Sequence, residues 1–569
     1  MAIDKARRHH HPSTRAMFEI IAREGMGRLG KFEINGKAML TPNILPVVHP
    51  KFQVIPPGEL RDRFKVDAVF TNAYIIFRDD KLRQAVMEKG VHAHLGFNGI
   101  IATDSGAFQH YMYGTDDLKA EDIEPFQESI GSDLGVILDQ PVQVTDPRDV
   151  AAEKVRTTIR RAGENVRRRA SARTGWYGPV HGSRYHDLLE QSARAINGLD
   201  YAVHALGGVV KLLNDYRFSM VARIILAAKQ HMDPSRPVHL FGAGHPMVFA
   251  LYVALGCDLF DSAAYSLFAK EGRYITAGGT WQLDQLVEFP CSCPACSGYT
   301  PAELKAAPEP ERFKRLAAHN LHATMDELRT IREYMRAESL WQLVEARCRA
   351  HPKLLEALRV ASSSGLPALA EEPVFKQRAI FYTGPETLAR PEVIRYRTYI
   401  SGQYAVPPGT DVIIILPELD VNAVASPQHQ EWRESISVAC ANGNLARDRV
   451  LVVLLNPVLG IIPEDLLPMF PASHNVYPDV ADLDQQAMME ASLAGFARRG
   501  DVVGKRMIAI VPEMYRSEMG IDVVFDGTFL RSVIDRIRHA AGAPAIHVVT
   551  SPGGLNQALA PGRFDGGGD

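Results

Sequence analysis

Cysteine is scarce: the chain of 569 residues holds six. That is too few for a disulfide scaffold of this size, and it points to a reducing compartment, the cytoplasm. No apolar run approaches the roughly 18–20 residues of a membrane-spanning helix. The longest, such as 450–455, are strand-sized, so no membrane role is expected. The basic, His-rich start (MAIDKARRHHHPSTRA) has no apolar segment and does not read as a secretory signal. Charge of one sign is also missing, with 63 Lys and Arg against 66 Asp and Glu and a net charge of −3. Bulk electrostatic capture of nucleic acid is thereby excluded, and such a partner would need a local basic surface. At 46% hydrophobic and 23% charged residues the composition is that of a globular protein, neither disordered nor fibrous. The length suits two to four domains, or fewer if one is a large barrel.

From about residue 18 to 275, short apolar segments alternate with amphipathic, charged ones. Candidate strands fall at 68–73, 99–106, 134–141, 178–183, 201–208, 238–244 and 258–263, with helices between several of them, for example at 149–170 and 216–232. Such alternation predicts a parallel sheet, and at this length a (β/α)8 TIM barrel. Asp104, Asp139, His181, Gly207, Gly244 and Asp261 follow the apolar part of their strands, on the face where barrels build active sites. A Cys/His segment comes next, with a charged helical stretch behind it. After the small-residue and Pro-rich stretch 362–373, strands return at 377–384, 411–418, 449–457, 505–513 and 545–551, separated by helices at 427–442, 485–499 and 528–541. The expected organisation is a flexible start over 1–16 and a barrel over 17–365 that carries an inserted structural zinc site at about 288–345. A smaller α/β domain over 366–552 and a flexible tail over 553–569 complete it.

CSCPAC supplies Cys291, Cys293 and Cys296, and the later helical His319 completes a four-ligand N/S set. Zinc favours such a tetrahedral set, and with no position left for water its role would be structural. His322 is the rival fourth ligand. Asp104 in TDSGAFQ and Asp261 in LFDSAAY form a carboxylate pair; one can attack a sugar carbon while the other manages protons. Taken singly, each Asp reads more readily as a helix cap or turn residue. Their company decides: carboxylates, backbone amides and the flat face of Phe108 make a pocket suited to a purine.

Several stretches carry a family resemblance: TNAYIIF, LGFNGIIATDSGAFQ, LGGVVKLLNDYRF, HLFGAGHPMVFALYVALGCDLFDSAAY, RYIT and PCSCPAC with a downstream HNL. Over roughly residues 17–345 the chain resembles the tRNA-guanine transglycosylases, most closely the archaeal type that inserts 7-cyano-7-deazaguanine (preQ0) for archaeosine synthesis. The resemblance implies exchange of a guanine in tRNA for a 7-deazaguanine by double displacement. Asp261 would be the nucleophile, and Asp104 the general acid and base. Asp139 would read the base's N1 and 2-amino edge; Ser105, Gln109, Gly207 and Gly208 would complete the pocket, with Phe108 stacking. The cysteines and His319 would hold structural zinc, and the family commonly forms homodimers through that region. One departure lies in the pocket. Where the family usually has Gln in a VQG motif, reaching the base's O6, this chain reads PVHGS, with His181.

The second domain resembles the accessory domain shared by archaeal transglycosylases and archaeosine synthases, through FYTGPETLARPEVIRYR and RVLVVLLNPVLGIIPEDLLPMFPASHNVYP. Aligned on Ser426 and His429, the synthases' Lys-Pro-Tyr falls on Val421, Asn422 and Ala423, and their Cys on Pro417. Without the Lys amine, nitrile addition has no nucleophile, so an architectural or nucleic-acid-binding domain is expected. The family's tRNA-gripping PUA module is not legible after it, which leaves DNA or another RNA as an alternative polymer. A non-catalytic partner of a separate transglycosylase is the other alternative, and the intact carboxylates speak against it. The basic run 154–173 reads either as a phosphate contact or as the solvated outer face of a barrel helix. Lys270 and Arg273, just after Asp261, are better placed to meet phosphates.

Overall fold

A computed structural model describes residues 16–107, 118–363, 371–418, 427–516, 522–524, 527–538 and 546–560. The chain forms two compact units, Met1–Glu372 and Pro373–Asp569.

The first unit is built on eight parallel strands in the order Asn43–Pro46, Leu259–Ser262, Val238–Leu240, Val203–Leu206, Gly175–Val180, Leu134–Val136, Ile100–Asp104 and Ala68–Asn72. A parallel bridge between Val47 and Phe70 brings the two end strands together, so the sheet is a nearly closed barrel. The predicted α/β barrel is thus observed. Seven of its strands overlap the expected segments; the eighth, Asn43–Pro46, has no counterpart among them.

Side chains alternate across each strand. Leu45, Phe70, Ala102, Val136, Tyr177, Val203 and Leu259 meet inside the barrel. Outward-facing neighbours pack under helices such as Arg148–Arg168, whose Ala151, Val155, Thr158 and Ala162 recur at helical spacing along one buried stripe. Helix Pro246–Ala254 is buried on every side, with Pro at its first turn and His245 capping the Met247 amide. An antiparallel sheet of Met17–Glu24, Gly27–Ile34 and Lys37–Thr41 adds Phe32, Ile34 and Met39 to the barrel core. The loop after its second strand, and Arg28 within it, reach the strand starts: Asn35 and Lys37 bond Asp133, and Arg28 bonds Asp258.

Parity then positions the chemistry. Asp104 follows the inward Ala102 by two residues, and Asp261 follows the inward Leu259 by two, so both carboxylates face the barrel mouth at the strands' C-terminal ends.

The second unit centres on a five-stranded sheet ordered Gly460–Pro463, Val450–Asn456, Val412–Pro417, Arg506–Ile510 and Ile546–Val549. All neighbours are parallel except the hairpin of Val450–Asn456 with Gly460–Pro463. The seven residues VLVVLLN are all buried, as expected of a strand covered on both faces. Helices Pro391–Gly402, Pro427–Asn442, Leu483–Ala497 and Thr528–Arg538 flank it. Pro417 closes one strand and His429 is buried in the following helix. Val421, Asn422, Ala423 and Ser426 lie outside the described residues.

Candidate active site and metal centre

Asp261 is held by two donors on the same oxygen. The Gly242 amide donates to its Oδ1 at 2.9 Å, and His239 Nε2 lies 3.1 Å from that atom. His239 Nδ1 lies 3.2 Å from the Tyr177 hydroxyl, and both side chains are buried in the barrel. Burial raises the Tyr177 phenol well above its ordinary value, with the Asp261 charge adding to it, so the phenol keeps its proton. A protonated phenol donates to Nδ1, which fixes the tautomer that donates from Nε2 to Asp261. No described residue bonds Asp261 Oδ2, so the second oxygen is left for chemistry. Phe70 and Phe241 pack edge-on against the His239 ring and lock its orientation.

Glycine is required at two points here. Gly242 has φ +75°, which suits a residue without Cβ, and this aims its amide. At Gly244 a Cβ would stand 1.9 Å from the Ser262 Cβ, so tight packing explains the second glycine of FGAGHP.

Asp104 sits across the mouth. Asn72, which caps helix Ala73–Arg78 through its Oδ1, donates from Nδ2 to Asp104 Oδ2 at 2.9 Å. Burial, reinforced by the charges of Asp139 and Asp261, pushes the Asp104 carboxyl up to about 7 against the opposing Gly106 amide. A carboxyl that holds its proton near neutral pH is suited to give and retake one.

Asp139 Oδ2 lies 2.5 Å from His181 Nε2, and the imidazole is almost fully buried. A carboxylate only accepts, so Nε2 carries the proton in this pair. His181 Nδ1 is buried without a partner among the described residues. Gly207 touches the imidazole: a Cβ there would stand 2.7 Å from His181 Cε1. Gly208 has φ +76°, and a Cβ would press on the Val142 carbonyl at 2.4 Å. Ser105 is fully buried and donates to the Ile137 carbonyl at 3.0 Å, tying one strand end to the next. Phe108 and Gln109 lie outside the described residues.

The predicted metal cluster forms. Ligand atoms of Cys291, Cys293, Cys296 and His319 all lie within 4.8 Å of one another. His319 Nδ1 faces Cys293 and Cys296 at 3.6 and 3.3 Å, while its Nε2 bonds the Ile275 carbonyl at 2.9 Å. That outer bond leaves Nδ1 as a lone pair directed at the thiols, the arrangement a metal-bound imidazole needs. Three thiols and one imidazole, with Tyr274 stacked on the ring at 3.6 Å, are a donor set that fits a metal ion. His322 instead packs against Phe64 and is not part of the cluster.

The basic run is largely neutralised locally. Arg156 and Arg160 pair with Glu153 and Glu164, Lys154 with Asp146, Arg168 with Glu124, and Arg161 bonds the Leu138 carbonyl. The solvated-face reading accounts for it. Arg273 lies over the Phe268 ring at 3.5 Å.

His239, Tyr177 and Asn72 are site residues that sequence reasoning misses, because each sits in or at the end of an apolar strand and reads as core. A polar His inside VHLF, on the same face as Asp261, is the available signal for His239.

Comparison with known proteins places the chain in a family. The family model described as queuine tRNA-ribosyltransferase matches residues 23–353. A tRNA-guanine(15) transglycosylase of Methanococcus vannielii is 40% identical over 476 residues, 82% of this chain and 70% of that protein. The protein of the same name from Pyrococcus abyssi is 45% identical over 380 residues, 67% of this chain and 64% of its own length. That of Methanocaldococcus jannaschii is 39% identical over 476 residues. No described helix is long and apolar enough to cross a membrane. The chain belongs to the tRNA-guanine transglycosylase family of glycosyltransferase-type enzymes.

Proposed function

We propose that this enzyme exchanges a guanine in tRNA for a 7-deazaguanine, preQ0 being the favoured base, through a covalent intermediate on Asp261. The observation that carries the reading is the opposed setting of the two carboxylates: Asp261 is gripped on one oxygen by His239 and Gly242, while Asp104 is pushed up to about 7. In the first step the free Asp261 oxygen attacks C1′ of the target nucleotide. The C1′–N9 bond breaks, its electron pair goes to guanine, and Asp104 supplies the proton guanine gains. In the second step the incoming base gives its N9 proton to Asp104, N9 attacks C1′, and the C1′–oxygen bond to Asp261 breaks. Two inversions restore the original configuration.

Asp139 would accept from the N1 and 2-amino edge of the base, beside His181. Gly207 and Gly208 would offer backbone amides, and Ser105 would brace the pocket wall. Phe108 and Gln109 take their stacking and pocket roles from the resemblance. Zinc on Cys291, Cys293, Cys296 and His319 would act as a structural crosslink, taking no part in the exchange. A cytoplasmic homodimer acting on tRNA completes the proposal.

The test is incubation with labelled preQ0 or guanine and tRNA, followed by denaturing capture of the intermediate. Label should enter tRNA, and an enzyme–tRNA adduct should form that Asp261→Ala abolishes. Absence of any adduct with tRNA, or transfer to DNA in preference to tRNA, would sink the reading.

A further inference from the structure

In the second unit, helices Pro391–Gly402 and Leu483–Ala497 flank a groove of about 360 Å³ with an apolar floor that includes Phe496. Arg397, Ser492, Gly495 and Arg499 stand around it, and no acidic residue lines it. The two guanidiniums differ in one respect. Arg499 is consumed by the Ile400 and Tyr404 carbonyls and by Asp501, at 3.0 Å from Nε. Arg397 is half-buried and has no hydrogen-bond or ion-pair partner among the described residues. Burial pulls its guanidinium below the ordinary arginine value, and no neighbouring carboxylate offsets the effect. A cation partly removed from water without an anion weakens the folded state, so an arginine kept this way suits an anion that arrives from outside. On the same groove, the Ser492 hydroxyl bonds, among the described residues, only the Met488 thioether at 3.5 Å, a weak acceptor.

We propose that this groove holds a backbone phosphate of a bound RNA strand, with Arg397 as its cation and Ser492 as a second donor. The inference rests on the RNA-substrate reading above and adds to it a contact in the second unit. The guanidinium fork matches phosphate oxygens, and the polyanion that a tRNA-modifying enzyme meets is the phosphodiester chain. One neutralised phosphate releases about one counterion, so the contact has its own signature in salt dependence.

The experiment titrates the full-length protein with a fluorescently labelled, unmodified tRNA transcript over a series of salt concentrations. Arg397→Gln should weaken binding several-fold at low salt and reduce the slope of log affinity against log salt by about 0.9. Arg397→Lys should keep most of that slope. A second variant guards against misfolding: open space surrounds the position a Gly495 Cβ would take, so Gly495→Asp sets a carboxylate into the groove without a clash. It should weaken binding at least as much. Unchanged affinity and slope in both Arg397→Gln and Gly495→Asp, or no tRNA binding by the wild type, would overturn the proposal. So would Arg397-dependent binding of a polyglutamate peptide with tRNA affinity unaffected, which would make the groove a peptide site. Binding is read without turnover, so a failure of base exchange in the wild type would fall on the proposed function alone.

Discussion

Asp258 and Asp261 lie three residues apart at opposite ends of one barrel strand, and their surroundings have little in common. Asp258 is buried and doubly bonded by the Arg28 guanidinium, with the Val238 amide at 2.7 Å. Asp261 meets an imidazole and one amide. The same contrast flanks Leu134–Val136. Asp133, before it, is bonded by Lys37, His92 and Asn35; Asp139, after it, meets only His181 among the described side chains. Asp67, ahead of Ala68–Asn72, pairs with Arg61 at 3.0 Å, whereas Asp104, ending the next strand, receives a neutral amide. At the strand starts each of these carboxylates has a permanent cation. At the strand ends none does among the described residues. The first set stabilises the barrel, and the second lies at the end where barrels build their active sites, as the proposed function requires.

The largest effects should come from breaking the contrast on a single strand. Asp258→Asn leaves the Arg28 charge buried and half-matched, which should cost about 3–5 kcal/mol of stability. Its exchange activity, measured at a temperature where it is still folded, should remain. Asp261→Asn should lose at least about three orders of magnitude of exchange, as removal of a nucleophile does, with a stability near wild type. Denaturant unfolding and base-exchange assays on the two variants check this directly. An Asp261→Asn protein less stable than Asp258→Asn would show that the two ends have been assigned the wrong way round.

The next effect is one of pH, and it has opposite sign at the two ends. Burial alone would raise Asp133, but hydrogen bonds from His92, Lys37, Asn35 and the Ile101 amide outweigh it and hold the carboxyl at about 2. A depressed folded-state value stabilises above the ordinary carboxylate range and is lost as pH falls through about 2. Asp104, pushed up to about 7, does the reverse: the folded state favours the protonated form, and stability falls as pH rises from the carboxylate range through 7. A tenfold change in a group's proton affinity on folding is worth about 1.4 kcal/mol. Asp133→Asn should therefore lose about 2–3 kcal/mol at neutral pH and converge on wild type in strong acid. Asp104→Asn should gain on wild type from about pH 4 to 7 and hold a constant margin above. Urea unfolding at a series of pH values separates the two; parallel curves for both variants would remove the contrast.

Much of this is legible in the sequence because parallel strands write themselves as short apolar runs ending in polar residues. Seven strands and the Asp104–Asp261 pair come from that pattern, and the Cys/His cluster from the close spacing of CSCPAC with a helical His behind it. The strand Asn43–Pro46 does not: four residues ending in proline are too short to show a period, and its place is set by pairing with Leu259–Ser262, over two hundred residues away. His239 and Tyr177 are hidden for a related reason. Each sits in an apolar strand and is buried, so its polar atoms matter only through partners on neighbouring strands. Asn72 looks like a helix cap, which it is, while its amide nitrogen serves Asp104. In the basic helix Arg156 and Arg160 pair with Glu153 and Glu164 of the same helix, and Arg273 is stacked on Phe268.

The smallest effect concerns His181, where this chain departs from its family's glutamine. The imidazole shares its Nε2 proton with Asp139 and leaves Nδ1 buried and unpartnered among the described residues, against Gly207. With Nε2 donating to Asp139, a neutral ring presents only a lone pair at Nδ1. A glutamine amide carries donor and acceptor at once and does not change with pH. His181→Gln should therefore shift the preference between guanine and 7-substituted bases. The change is that of one hydrogen bond, about 0.5–1.5 kcal/mol or at most roughly tenfold, with kcat at saturating base nearly unaffected. If the selectivity of His181→Gln matches wild type, the imidazole is a neutral replacement, and base choice would rest on Asp139 and the glycine amides.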